Sequence, residues 1–122
     1  MKKRLLIVGG VAGGGSCAAR ARRHSEETEI IIFERGPFVS FANCGLPYYV
    51  GNVITKEEDL IVASPERFKE YFNIDVRLGH NVLRIDRQKK EIEIEKTATG
   101  QTSRESYDTL VISPGSIPVL PP

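Results

Sequence analysis

Two groups of residues in this sequence have the types and spacing to do chemistry. The first is a thiol, Cys44, set in the run Ser40-Phe41-Ala42-Asn43-Cys44-Gly45-Leu46-Pro47. Asn43 and Gly45 place it in a turn that leads toward a helix, and a helix amino-terminus favours the thiolate, which is the nucleophilic form. A buried, inert cysteine is the competing reading, and the polar, glycine-containing turn argues against it. Cys17 is the opposite case: it lies among alanines and glycines in a helical stretch, where a packed core thiol is the simpler assignment. Two cysteines this far apart form neither a disulfide framework nor a zinc site, so no metal is expected. Thiol chemistry in a reducing compartment is the expectation that remains.

The second group is the glycine turn Gly9-Gly10-Val11-Ala12-Gly13-Gly14 together with Glu34. A dinucleotide pyrophosphate requires a tight turn after a strand, bare backbone near the phosphates, and a helix amino-terminus aimed at the negative charge. The turn meets these needs imperfectly, because Val11 stands where the G-x-G-x-x-G frame has its second glycine. Its context strengthens it: a strand before, a helix after, and an acid at the end of the next strand placed to bond ribose hydroxyls. An ordinary glycine loop beside a solvated acid is the alternative. An acid there also disfavours a ribose carrying a 2′-phosphate.

These residues need a scaffold, and the pattern supplies one. Leu5 to Val8 is a short continuous apolar run that suits a parallel strand buried on both faces. Gly13 to about His24 reads as a helix whose alanines permit close approach to a sheet, and Ile30 to Phe33 is a second buried strand. Strand, glycine turn, helix and strand make a βαβ unit. Farther on, Thr55-Lys56-Glu57-Glu58 has capping-box spacing, and Ser64-Pro65-Glu66 offers an N-cap with proline at the first helical position, so two short helices are expected. Strands are expected over Asp75–Leu78, Val82–Asp86, Glu91–Glu95, Gln101–Tyr107 and Thr109–Ser113. The alternation Glu91-Ile92-Glu93-Ile94-Glu95 and a turn over Thr97–Gly100 mark a half-exposed antiparallel excursion.

Composition excludes some classes. With 122 residues, 27% charged and a net charge of +1, the chain suits one small domain and has no global field to attract nucleic acid. Lys2-Lys3-Arg4 before an apolar run resembles a secretory signal, but the run stops at Gly9-Gly10, and no stretch approaches the roughly 18 apolar residues of a membrane span. A cytoplasmic protein with no membrane partner is expected, and the basic triplet reads as a solvated terminus. The chain closes at Val119-Leu120-Pro121-Pro122 with neither helix nor strand, as a segment of something longer would.

The segment from Ser40 to Tyr49 closely resembles the redox segment of single-cysteine members of the pyridine nucleotide-disulfide oxidoreductase family, above all its coenzyme A-disulfide reductases and NADH-dependent persulfide reductases. The resemblance extends from Val8-Gly9-Gly10-Val11-Ala12-Gly13-Gly14 to Thr109-Leu110-Val111-Ile112-Ser113-Pro114-Gly115-Ser116, the latter similar to the family's second FAD motif. It implies a Rossmann-like α/β fold: a parallel sheet with the glycine-rich βαβ unit and an antiparallel β excursion. Residues 1–122 would form the amino-terminal portion of an FAD-binding domain, with NADH-binding and dimerisation domains outside this chain and a homodimer as the full-length form.

The same resemblance implies FAD at Gly9, Gly10, Val11, Ala12, Gly13, Gly14, Glu34, Arg35, Asn43, Val82, Ser113, Pro114 and Gly115, and coenzyme A at Ser16, Arg20, Arg23, Ser40 and Asn43. Arg20 and Arg23 share a helix face by spacing, which suits phosphates and equally a basic last turn complementing the helix dipole. Phe72 stands where a relative uses a lysine, with Lys69 nearby. Two-cysteine reductases carry a second cysteine a few residues on, and here that position is Tyr49. The oxidising sulfur or oxygen must then come from outside: a coenzyme A disulfide, a persulfide, or an oxygen atom that leaves a sulfenic acid. The reading is an FAD-dependent, NADH-linked reductase of coenzyme A disulfide or persulfide acting through Cys44. An NADH oxidase or peroxidase is the alternative within the class, and a dinucleotide-binding module without redox chemistry is the alternative outside it.

Overall fold

The computed structural model describes residues 2–40, 44, 46–60, 63–117 and 119–122. Four strands, β1 (Arg4–Val8), β2 (Glu29–Glu34), β3 (Asp75–Leu78) and β7 (Thr109–Ile112), form a parallel sheet in the order β3-β2-β1-β7. Three more, β4 (His80–Asp86), β5 (Glu91–Lys96) and β6 (Thr102–Ser106), form an antiparallel meander. Helices α1 (Ala12–His24), α2 (Leu46–Val50) and α3 (Pro65–Phe72) complete the described elements, with a 3-10 turn over Glu57–Leu60.

The continuous apolar runs of β1 and β2 follow from covering on both faces. Ile7, Ile30 and Ile32 point to one side, where they meet Ala18 of α1, Phe68 of α3, Val39 and Ile74. Leu6, Ile31 and Phe33 point to the other, where they meet Ile92 and Ile94 of β5. The strict alternation in β5 thus has its reason: its isoleucines are buried against the parallel sheet while its glutamates face outward. Three layers result: helices, parallel sheet and antiparallel sheet.

Arg4 corrects the expectation of a solvated basic terminus. Its guanidinium reaches Glu29 at 3.0 Å, Glu105 at 2.9 Å and the carbonyl of Ser106 at 2.8 Å. Arg77 approaches the other oxygen of Glu105 at 3.1 Å and lies over the ring of Phe33, 5.5 Å from its centroid. Glu105 therefore bridges strands of the two sheets through two arginines. Burial alone would push its carboxyl up, but the bonds and charges of Arg4 and Arg77 outweigh burial and hold it below the usual range.

The helix signals divide. Ser64 caps α3 by accepting from Arg67 N at 3.2 Å, Pro65 opens the helix, and Asn73 ends it in the left-handed region at φ 50°. The capping-box spacing at Thr55 yields no α-helix: Glu57–Leu60 makes a single 3-10 turn, and the side chain it buries is Leu60. Four residues offer one hydrophobic anchor, too little to offset the cost of nucleating a longer helix. Strand β4 also begins earlier than expected, at His80.

Candidate functional site

At Gly9 and Gly14 the glycine turn is shaped by contacts that leave no room for a side chain. Gly9 adopts φ +94°, and a Cβ there would lie 2.0 Å from the carbonyl oxygen of Ser113. A Cβ on Gly14 would fall 1.7 Å from the carbonyl oxygen of Gly9, so helix α1 starts pressed against the strand it follows. Ser113, beyond β7, fastens the same corner: its N–H donates to Val8 O at 2.8 Å and its hydroxyl to Val8 O at 2.9 Å and to Gly9 O at 3.2 Å. Val11 occupies the N-cap position, no side chain caps the helix, and no acid stands in its first turn. The first-turn N–H groups have no intrahelical acceptor, so the chain offers an anion several donors and the positive end of the helix dipole.

Glu34 ends β2 and is 8% exposed. Its Oε1 accepts from Gly10 N at 2.9 Å and its Oε2 from Gly36 N at 2.7 Å. The carboxylate thus holds the glycine turn and the turn after β2 in register, a role its position in the sequence did not suggest. Each oxygen keeps a second lone pair for a ligand hydroxyl.

The structure brings several of the expected cofactor residues together. Gly9, Glu34, Arg35, Val82 and Pro114 line one cleft of about 400 Å³, part of it open to solvent, at the carboxyl ends of the parallel strands. Gly10, Val11, Ala12, Gly13 and Gly14 follow Gly9 in the β1–α1 turn, and Ser113 and Gly115 flank Pro114 in sequence. Asn43 lies outside the described residues. Phe33, His80 and Asn81 also line the cleft and were not anticipated. His80 stands two residues before Val82 on one strand, and side chains at that spacing share a face, which was the available signal.

Ser16, Arg20 and Arg23 are exposed along α1 at spacings of four and three, hence on one face. Neither arginine has a protein partner among the described residues. Arg22, between them, has several: it donates to Phe72 O at 2.7 Å and Asn73 O at 2.9 Å, tying α1 to the carboxyl end of α3. Ser40 donates its N–H to Gly10 O at 2.7 Å with φ +57°, which fixes the start of the Cys44 segment against the glycine turn. Cys44 is exposed, and its sulfur is free. It lies two residues before α2, which buries none of its own residues and carries Tyr49. Cys17 is also free, half-buried on α1 rather than sealed in the core. Among the described residues no group of three His, Cys, Asp or Glu is placed to hold a metal, and no helix is long and apolar enough to cross a membrane.

Comparisons with known proteins bear on the family and the fold. The family model for pyridine nucleotide-disulphide oxidoreductases matches residues 3–122. A coenzyme A disulfide reductase from Staphylococcus epidermidis is 43% identical over 95 residues, covering 78% of this chain and 22% of the relative. Among solved structures, the reduced CoADR-RHD of Bacillus anthracis superposes with TM-score 0.94 at 50% identity, covering 99% of this chain and 22% of that one. An NAD-dependent persulfide reductase from A. fulgidus superposes with TM-score 0.91 at 36% identity, covering 98% of this chain and 22% of that one. The chain thus spans about 22% of the length of these relatives.

Proposed function

The chain belongs to the pyridine nucleotide-disulphide oxidoreductase family, and on that premise we propose that it is the amino-terminal part of an FAD-binding domain in an NADH-linked reductase of coenzyme A disulfide or persulfide. The observation that carries the reading is one corner of the fold, where Ser40 N bonds Gly10 O at 2.7 Å. A glycine-rich phosphate turn, a buried acid and an open cleft lie beside the Ser40 anchor of an exposed, unpaired thiol. The donors and the cleft fit FAD: pyrophosphate over Gly9 to Gly14, adenosine ribose at Glu34, and adenine in the cleft with Arg35, Val82 and Pro114. Bound FAD supplies the electron pair, taken from NADH, that reopens a disulfide formed at Cys44.

This chain's own residues do the rest. The thiolate of Cys44 attacks one sulfur of a coenzyme A disulfide, forming a mixed disulfide and releasing one coenzyme A thiolate. Tyr49, where a resolving cysteine would stand, cannot open that bond, so Cys44 works with an external sulfur. Ser16, Arg20 and Arg23 present one hydroxyl and two guanidinium groups to the phosphates of coenzyme A, with Ser40 and Asn43 nearer the thiol. NADH binding and homodimerisation belong to domains outside these residues, and the protein works in the reducing cytoplasm.

The test is made on the intact protein. It should be isolated with FAD, be reduced by NADH, and reduce coenzyme A disulfide. A double Arg20→Ala, Arg23→Ala variant should raise KM for coenzyme A disulfide and leave small phosphate-free disulfides unaffected. Equal loss with both substrates would make the arginines structural, and NADH-driven peroxide reduction in place of disulfide reduction would favour a sulfenic acid cycle.

A further inference from the structure

The cleft that holds Glu34 also contains a histidine that none of these assignments uses. His80 lines it together with Phe33, Asn81 and Val82. Its Nδ1 lies 2.8 Å from the carbonyl oxygen of Leu78. A carbonyl can only accept, so the proton of the neutral ring sits on Nδ1, and Nε2 is left as a hydrogen-bond acceptor. Nε2 has no partner among the described residues. The ring is steadied from behind by Phe33, with centroids 6.4 Å apart and planes tilted by 55°. The cleft thus has a carboxylate at one position, apolar walls from Phe33, Val82 and Pro114, and one oriented ring nitrogen.

Resting on the proposal that FAD occupies this cleft, the geometry points to His80 as a specificity-determining residue for the base: its Nε2 accepts a hydrogen bond from the exocyclic amine of adenine. A flat aromatic base suits the apolar walls, and of the groups on adenine only that amine donates. Glu34 already faces the ribose, so a second acceptor in the cleft distinguishes among bases rather than among sugars. A hypoxanthine ring, which carries an oxygen where adenine carries its amine, would set acceptor against acceptor. The contact contributes recognition and takes no part in electron transfer, and so His80 is a binding residue and not a catalytic one.

The experiment uses the intact protein stripped of flavin and titrated with FAD and with its hypoxanthine analogue. Wild type should prefer FAD about 5- to 10-fold, the size of one neutral hydrogen bond. His80→Asn retains an amide donor toward Leu78 O but lacks Nε2, and His80→Phe retains the ring but neither nitrogen. Both should narrow the preference to within about 2-fold while still binding both flavins. A preference unchanged in both variants, or absent from wild type, overturns the assignment and leaves the FAD site standing. Failure of wild type to bind either flavin removes the FAD reading itself, and this inference with it.

Discussion

Removing the carboxylate of Glu34 should weaken the fold before any question of cofactor arises. Glu34 is buried and accepts two backbone hydrogen bonds, from Gly10 at 2.9 Å and Gly36 at 2.7 Å. A hydrogen bond to a charged group contributes about 1.5–3 kcal/mol, and a buried donor left without an acceptor costs a similar amount. Glu34→Ala loses both bonds and should destabilise the protein by about 3–5 kcal/mol. Glu34→Gln keeps one oxygen but turns an amide donor toward a backbone N–H, so its cost should be about 1.5–3 kcal/mol. The assay is denaturant unfolding of the intact protein, without FAD and with FAD in excess, read as the midpoint shift at unchanged slope. FAD adds stability only in proportion to its affinity, so the two conditions separate loss of the latch from loss of a ribose contact. Wild-type stability of Glu34→Ala without FAD would refute the latch.

Other perturbations test other parts of the account. Gly14→Ala drives a Cβ into the carbonyl of Gly9 and should cost about 3 kcal/mol or more, whereas Gly13→Ala meets only Ser113 Cβ at 3.6 Å and should be neutral or stabilising by thermal unfolding. Glu105, held below its ordinary value of 4.5, contributes stability that is fully present above that pH and is lost as pH falls through the lowered folded value. Glu105→Gln should flatten that acid limb in a pH series of unfolding midpoints and cost about 1–3 kcal/mol at neutral pH. Arg22→Ala releases the carboxyl end of α3 and should lower the melting temperature, while Arg20→Ala and Arg23→Ala, on an exposed face, should leave it within experimental error.

Local pattern explains what was legible in the sequence. The βαβ unit, the Ser64 cap and the alternation of β5 are each written within a few neighbouring residues, and each formed as expected. Pairings across the chain were not legible. Arg4 and Glu105 are separated by 101 positions, and nothing near Arg4 distinguishes a half-buried bridge from a solvated terminus. The tie of Arg22 to α3 was hidden in the same way, because the acceptors it finds there are carbonyls 50 and 51 positions on, and any residue carries a carbonyl. Thr55 failed for the opposite reason: its spacing is right, but Glu57–Leu60, which buries only Leu60, closes as a single 3-10 turn. In the cleft, the glycines and Glu34 were recognisable by type, while Phe33 and His80 became neighbours only when β4 crossed under β2.

The central claim is that Cys44 carries turnover with no second cysteine from the chain. It is tested most directly by the steady-state rate of NADH-dependent coenzyme A disulfide reduction in the intact Cys44→Ser variant, with Cys17→Ser alongside. Cys44→Ser should retain FAD and still let NADH reduce it, because hydride transfer does not use the sulfur, while disulfide reduction falls to background. Cys17→Ser should stay close to wild type. Disulfide reduction that survives in Cys44→Ser, or is lost in Cys17→Ser because a Cys17–Cys44 disulfide opens and closes during turnover, would contradict the account.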